Sequence, residues 1–290
     1  MSKSMLGSNN RKLKAGVIGL GVGMRHLSAY DRSEYAEPYI ACDLDPEKLV
    51  AANLIYPDIE TTSDPRDVIL NPEIDVVSIA SYDADHYEQI MLALGNKKHI
   101  FVEKPVCVSR SQLNAIENAL EKNPDICFSS NLILRKAERF IELRKKITAG
   151  DLGQIYYVEG DYDYGRLKKL TNGWRTKQYG YSVFLGGGIH MVDLLCWLHG
   201  SHVTQVSAIG SKICSSSSEF DGFDTVLASM QYNDGSIGKI SANFGAVTKH
   251  HHRLAIYGTL GTFHQSHEGA TYHFGRDDAP NEIKDLCAYP

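Results

Sequence analysis

Through the first 130 residues, short apolar runs alternate with amphipathic stretches, and the period of the pattern switches back and forth. Residues 13–20 (LKAGVIGL) read as a buried parallel strand. A glycine-rich turn follows, then a helical stretch to Tyr30. Residues 38–43 give a second strand ending at Asp43. Asp45 suits the N-cap of the next helix and Pro46 its first turn. Residues 75–80 (DVVSIA) form another strand, residues 84–95 a helix, and residues 99–102 a fourth strand. Ser109 opens a further helix, and residues 126–129 read as a fifth strand. Strand alternating with helix predicts an α/β fold: a doubly wound parallel sheet with helices on both faces. Such sheets bind ligands at the carboxyl ends of their strands, so functional residues belong just after a strand.

The texture changes near Asn131. Residues 135–148 have the spacing of an amphipathic helix. Long strand-like segments follow at 154–164, 203–213, 225–232, 236–244 and 253–257, with Asn233-Asp234-Gly235 as a hairpin turn. This half predicts a mostly antiparallel sheet with a few helices. The expected division is a nucleotide-binding domain over 11–130 and an α+β domain over 131–290. No internal repeat is visible.

A length of 290 residues accommodates two domains of ordinary size, and 43% hydrophobic residues are enough for two cores. The net charge of −5, from 30 basic and 35 acidic residues, argues against nucleic acid as a partner. Residues 1–10 are polar and lack the apolar run of a signal peptide. No apolar run is long enough to span a bilayer, so no membrane partner is expected. The six cysteines (Cys42, Cys107, Cys127, Cys196, Cys214 and Cys287) are scattered and form no CxxC pair. They read as reduced thiols of a cytoplasmic protein. His250-His251-His252 invites a metal, but adjacent residues of a strand face opposite ways. An edge or interface segment is expected there, and no metal.

Gly19-Leu20-Gly21-Val22-Gly23 joins the first strand to the first helix. Glycines here permit a tight turn and let a pyrophosphate reach backbone N–H groups at a helix start. The match to GxGxxG is imperfect, because the third glycine comes one residue early and Met24 holds the sixth place. Asp43 supplies the acidic residue expected about 20 positions on, for the adenosine ribose. It would repel a 2′-phosphate, and Leu44 follows it rather than an arginine, which favours NAD over NADP. After the fourth strand comes Glu103-Lys104-Pro105. The proline moves Lys104 out of the helical region, to the end of a parallel strand. Taken alone, Lys104 reads equally well as a surface loop lysine.

Together, residues 19–26 (GLGVGMRH), Asp43, residues 79–86 (IASYDADH), Glu103-Lys104-Pro105, Trp174-Arg175, residues 186–198 (GGGIHMVDLLCWL) and residues 256–263 (IYGTLGTF) resemble the glucose–fructose oxidoreductase/inositol dehydrogenase (Gfo/Idh/MocA) family. The resemblance implies a Rossmann domain followed by an α+β domain whose open sheet commonly forms the subunit interface, hence a homo-oligomer. It also implies hydride transfer between nicotinamide and the carbinol carbon of a sugar-type substrate. Lys104 matches the family's catalytic lysine and His190 its catalytic histidine. Gly19, Gly21, Val22, Gly23, Asp43, Ser81, His86, Glu103 and Lys104 fall on the cofactor side. Two departures stand out. Four residues before the histidine many members carry an aspartate that relays the proton, and here that position is Gly186. Where many members have Thr-Pro-Asn, this chain has Ser81-Tyr82-Asp83. Many relatives also continue further beyond the last matched segment than Pro290.

Residues 156–181 hold six of the sixteen tyrosines, along with Arg166, Lys168, Lys169, Trp174, Arg175 and Lys177. Aromatic rings with polar tips suit a sugar ring, and Arg or Lys suits a carboxylate or phosphate. Tyr164, Arg166, Lys168, Trp174 and Arg175 are therefore expected to bind a sugar, or nucleotide sugar, that carries negative charge, and the resemblance adds Asp193, a family position three residues after His190, to the substrate side. The plainer alternative has the tyrosines alternating on a half-exposed strand and the charges solvated. The leading function is an NAD-dependent sugar dehydrogenase. The alternatives are a non-catalytic NAD-binding regulatory protein of the same fold, or a reductase for another small cyclic alcohol or ketone.

Overall fold

The computed structural model describes residues 11–282 except 179, 268 and 278–280. Tyr179, Cys287 and the polar first ten residues lie outside the described residues. The chain divides into two compact units, Met1–Asn131 and Leu132–Pro290.

The first unit alternates strand and helix in chain order: β1 (Leu13–Ile18), α1 (Gly23–Asp31), β2 (Ala36–Cys42), α2 (Pro46–Ile55), β3 (Glu60–Thr62), α3 (Pro65–Leu70), β4 (Val76–Ile79), α4 (His86–Gly95), β5 (His99–Val102), α5 (Arg110–Glu121) and β6 (Phe128–Ser130). The strands form one sheet in the order β3-β2-β1-β4-β5-β6, with every pairing parallel. The order reverses direction between β1 and β4, which is where such sheets open a crevice for a dinucleotide. Local chemistry sets the helix starts. Asp45 accepts from the Glu47 N–H at 3.0 Å, Asp64 from the Arg66 N–H at 2.8 Å, and Ser109 caps α5 through the Gln112 N–H. Ile18, Ile40, Val77, Ile79, Ile100 and Val102 pack with Val68, Ile90, Leu94 and Ile116 in one core. Val17, Leu20, Leu27, Ala41 and Ala52 form a second. With both faces covered, the strands read as continuous apolar runs. β3 and α3 escaped the sequence pattern because three and six residues are too few for a period to register.

The second unit begins with a 3₁₀ turn (Ile133–Lys136) and α6 (Glu138–Ala149), then β7 (Ile155–Asp163). Two single-turn helices follow, α7 (Lys168–Thr171) and α8 (Trp174–Lys177), then a π-helical turn (Phe184–Gly188) running into α9 (Ile189–His199). The remaining strands are β8 (Val203–Ser211), β9 (Thr225–Tyr232), β10 (Ile237–Asn243), β11 (His251–Gly258), β12 (Thr262–Ser266), β13 (Gly269–His273) and β14 (Asn281–Glu282). Among the described residues they form one sheet, ordered β14-β13-β12-β11-β7-β10-β9-β8. Only the β7–β10 pairing is parallel. The Asn233-Asp234-Gly235 turn joins β9 to β10, with Gly235 at φ 87°.

β7 divides its residues by parity, as a strand must. Val158, Gly160 and Tyr162 face a core made with Met191, Leu194, Leu195 and Leu198 of α9. Gly160 is needed there, because a Cβ would overlap the Met191 methyl. On the opposite, open face lie Glu159 and Asp161. Asp161 pairs with Arg253 of β11, with Lys239 of β10 at 3.1 Å, and accepts from Ser241. The three histidines alternate as a strand requires. However, β11 is an interior strand between β12 and β7, and the expected edge placement is corrected.

Candidate active site

In the first unit the three glycines after β1 have three different surroundings. Gly19 has left-handed backbone (φ 88°), and a Cβ on it would overlap the Ala80 carbonyl of the neighbouring strand end. Gly23 packs α1 onto β1, with Val17 Cγ1 2.8 Å from where a Cβ would sit. Nothing lies within 4 Å of a Cβ at Gly21. The exposed Val22 stands at the start of α1, which has no side-chain cap and no acidic residue in its first turn. Free N–H groups, the positive end of the helix dipole and an open glycine make a cradle for a phosphate pair. The Gly23 placement explains how a motif one residue short of GxGxxG still works, since the packing glycine begins the helix.

Asp43 follows β2 and is 8% exposed. It accepts from the Leu20 N–H at 2.6 Å and the Asp45 N–H at 2.9 Å, and Lys48 Nζ lies 3.2 Å away. Burial pushes its carboxyl up, but the two N–H groups and the Lys48 ammonium outweigh that and hold it below the ordinary range. The acid therefore fastens the glycine turn to the end of β2. Lys48 is a cation that the sequence reading overlooked; it lies in the first turn of α2.

Glu103 and Lys104 follow β5, and the Lys104–Pro105 peptide is cis. The Glu103 carboxylate accepts from Asn131 Nδ2 at 2.6 Å and lies 3.2 Å from His26 Nε2. His26 Nδ1 meets Ser78 Oγ at 2.8 Å. Burial raises the Glu103 carboxyl, and His26, Asn131 and Lys104 together bring it below its ordinary value. Glu103 is thus an ionised anchor beside Lys104. His26, Ser78 and Asn131 are the residues that sequence reasoning missed. They are 77, 52 and 28 positions from their partners, so no local signal marks them.

Ser81 Oγ donates to Gln89 Oε1 at 2.7 Å. His86 is fully buried, with Nδ1 2.7 Å from the Pro105 carbonyl and Nε2 3.3 Å from the Ser81 carbonyl. With no exposed surface and both ring nitrogens on backbone carbonyls, it ties the loop after β4 to the loop after β5.

In the second unit His190 stands in the first turn of α9 and is 7% exposed. Its ring stacks on Tyr162 at 6.1 Å and meets His252 edge-on at 6.1 Å. Tyr162 in turn touches Tyr164 and His250, with ring centres 5.4 and 5.0 Å away. The preceding glycines are required by packing. A Cβ on Gly187 would overlap Tyr162 and Phe244, and one on Gly186 would overlap the Tyr181 hydroxyl.

Tyr164 Oη accepts from Lys169 Nζ at 2.9 Å, and the Arg166 guanidinium lies over its ring at 5.0 Å. Burial raises the Tyr164 phenol, yet Lys169 and Arg166 carry it below its ordinary value. Lys168, expected at the substrate, is exposed in α7, and its neighbour Lys169 makes the contact with Tyr164. Arg175 Nε donates to Tyr181 Oη at 2.9 Å, and its guanidinium covers Trp174 at 4.3 Å. Asp193, expected at the substrate, is paired in this unit with Arg135, which reaches both its oxygens, at 2.5 and 2.8 Å. The tyrosines in and just after β7 answer to both sequence readings. Tyr162 and Tyr164 belong to the His190 cluster, while Tyr157 stacks on Tyr257 of β11 at 5.3 Å and Tyr156 is half exposed. Among the described residues no group of three or more His, Cys, Asp or Glu side chains is arranged to hold a metal.

A parallel sheet ordered 3-2-1-4-5-6, with a phosphate cradle at its switch point and an acid closing β2, defines an oxidoreductase-type dinucleotide-binding domain, and its residues fit NAD. Residues 13–131 match the oxidoreductase family with NAD-binding Rossmann fold, and residues 140–264 match the GFO/IDH/MocA C-terminal domain. The chain belongs to the Gfo/Idh/MocA family and is an NAD-dependent oxidoreductase. It is 27% identical to scyllo-inositol 2-dehydrogenase (NAD(+)) of Bacillus subtilis (strain 168) over 202 residues, 69% of this chain and 58% of that enzyme. It is 23% identical to myo-inositol 2-dehydrogenase of Thermotoga maritima over 259 residues, 86% of this chain and 74% of the relative. Its fold matches a levoglucosan dehydrogenase solved with NADH and levoglucosan at a TM-score of 0.84 and 24% identity, covering 94% of this chain and 79% of that one.

Proposed function

We propose that this protein transfers a hydride between nicotinamide and a carbinol carbon of a sugar or cyclic polyol, with Lys104 handling the hydroxyl proton. The observation that carries this reading is the placement of Lys104 at the carboxyl end of β5, beside the ionised Glu103 and in the same unit as the phosphate cradle. NAD, when bound, supplies the hydride acceptor. In oxidation the C–H bond gives up its electron pair as hydride and the O–H proton passes to the Lys104 amine, leaving a carbonyl; reduction returns both. Inositol dehydrogenases among its relatives support a polyol, and the Tyr162–His190 stack offers a flat ring and an imidazole to hydroxyl groups. Arg166 and Lys169 around Tyr164 favour a substrate bearing a carboxylate or phosphate, nucleotide-linked sugars included. We assign the protein to the cytoplasm, where its scattered thiols stay reduced. We also assign it to a homo-oligomer, because edge strand β8 is exposed on both faces.

The test is a panel of inositols, levoglucosan, uronates and sugar phosphates, followed by NADH absorbance. Positioned acid–base groups contribute about 10² to 10⁴ in rate. Lys104→Ala should lose turnover by that factor while calorimetry shows NAD binding retained. Wild-type turnover in that variant removes the proposed mechanism.

A further inference from the structure

We propose that His26 is a positioning residue for Lys104: it grips the Glu103 carboxylate, and the carboxylate fixes the backbone that carries the lysine. The inference rests on the reading of Lys104 as the group that handles the substrate proton.

Three observations converge. His26 Nε2 lies 3.2 Å from Glu103 Oε1, and the Lys104 backbone N–H donates to Glu103 Oε2 at 3.3 Å, so one carboxylate bridges α1 and the lysine loop. An ionised carboxylate only accepts, so Nε2 carries the hydrogen and donates it. Second, the imidazole is itself held. Its Nδ1 meets Ser78 Oγ at 2.8 Å, and its ring meets Phe101 edge-on at 5.2 Å. Ser78 and Phe101 are register partners on β4 and β5, and Ser78 is fully buried. Tyr30, one turn further along the same face of α1, hydrogen-bonds Ser78 as well. Third, the loop is held on its far side too, because His86 Nδ1 donates to the Pro105 carbonyl at 2.7 Å. Lys104 therefore stands between two residues that buried histidines keep in place.

The consequence concerns both charge and aim. Burial favours the neutral form of Glu103, and the His26 hydrogen bond is the largest influence opposing it, ahead of the Asn131 amide and the Lys104 charge. These groups reach the carboxylate from three sides: His26 from α1, Asn131 from just after β6, and Lys104 from its own loop. A protonated or displaced carboxyl is a poorer acceptor for the Lys104 N–H. A lysine that must come within hydrogen-bond reach of a hydroxyl then loses its fixed base. The arrangement is also tied to the cofactor. His26 is the fourth residue of α1, and the start of that helix forms the phosphate cradle. Cradle and lysine loop hang from one rigid helix, which sets the spacing between the dinucleotide and the proton-handling group.

The charge half is tested by NMR titration of side-chain carboxyl carbons on the full chain with NAD, labelled at glutamate. The Glu103 signal is assigned by its disappearance in Glu103→Gln. His26→Leu should raise the apparent Glu103 pKa by about one unit or more. His26→Gln, whose amide nitrogen donates from nearly the place of Nε2, should restore most of the wild-type value. Ser78→Ala, which only unfastens the ring, should fall between the two. A Glu103 titration that stays put in His26→Leu and in Ser78→Ala overturns the role of the imidazole. This readout needs no substrate, so it stands apart from the dehydrogenase reading, which falls on Lys104→Ala instead. The positioning half is read with a turned-over polyol. His26→Leu should lower kcat about tenfold or more, with a smaller change in KM, and the loss should deepen as the pH falls through the raised Glu103 pKa. His26→Gln should recover most of that loss. The His26→Leu/Glu103→Gln double variant should lose no more than Glu103→Gln alone, since the imidazole acts through the carboxylate. Losses that add, or a His26→Leu variant that lowers only the melting temperature, overturn the positioning role.

Discussion

Asp43 is held by more partners than a ribose ligand needs. Its oxygens already take the Leu20 and Asp45 N–H groups and the Lys48 ammonium. A carboxylate has about four acceptor positions, so a ribose bound there would share oxygens already bonded to the loop. Asp43→Ala should therefore act twice. It leaves the Leu20 N–H without its acceptor, at a cost of about 1–3 kcal/mol in stability. It also exposes Lys48, a ready partner for a 2′-phosphate. The wild type should bind NAD(H) clearly more tightly than NADP(H), and the variant should narrow the gap; equal wild-type affinities by calorimetry would refute this. Asp193 makes the opposite case. Because Arg135 is half exposed, the pair contributes only ~1 kcal/mol, and Asp193→Ala should lose about that much in a denaturant melt. KM for the polyol should be unchanged; a tenfold rise would return Asp193 to the substrate.

At the scale of elements, the π turn is packed against aromatic rings of the sheet, Tyr162 of β7 and Phe244 just after β10. Gly187→Ala must push against both Tyr162 and Phe244, two neighbours locked in the core. Overpacking of this kind costs typically 1–3 kcal/mol, measurable as a shift of the denaturant midpoint without a change of slope. β11 and the residue just before it hold three histidines, His250, His251 and His252. Burial, with Arg166 and Lys169, lowers His250 to about 4; burial, with His267 and His250, lowers His251 to about 4. Burial, with His250 and His190, lowers His252 to about 2. The unfolded chain binds these protons near pH 6.5 and the folded chain resists them. Their stabilisation is therefore complete above about pH 6.5 and is lost as the pH falls toward 4. Each group adds up to about 1.4 kcal/mol per pH unit to that slope. Equilibrium unfolding between pH 7 and 4.5 should steepen accordingly, and His250→Gln should flatten it. A slope identical in both proteins would show that these rings do not govern acid stability.

At the scale of the molecule, the second unit covers one face of its sheet with helices and leaves the other open. On that open face the register sets Ile209 of β8 beside Leu227 of β9, with Ile237 of β10 four residues from Ser241, the partner of Leu227. All three are exposed. Sedimentation should give a multiple of the chain mass, and Ile209→Lys with Leu227→Lys should shift the protein toward monomer while the melting temperature of the first unit holds. A wild-type monomer at micromolar concentration would refute the assembly.

Much of this protein is legible along the chain because its signals are local. An apolar run followed by glycines, an Asp-Pro helix start, a lysine trapped before a proline and an Asn-Asp-Gly turn each act within a few residues. They marked out β1, α2, the Lys104 loop and the β9–β10 hairpin. What the chain concealed lies in contacts between distant residues. Nothing near His26 announces Glu103, 77 positions away, and nothing in a run of two lysines says that Lys169 rather than Lys168 meets Tyr164. Gly186 shows the difference most plainly. In sequence it is an acid that is missing. In the fold it is a space already filled, because close packing brings the Tyr181 phenol to a backbone that carries no side chain.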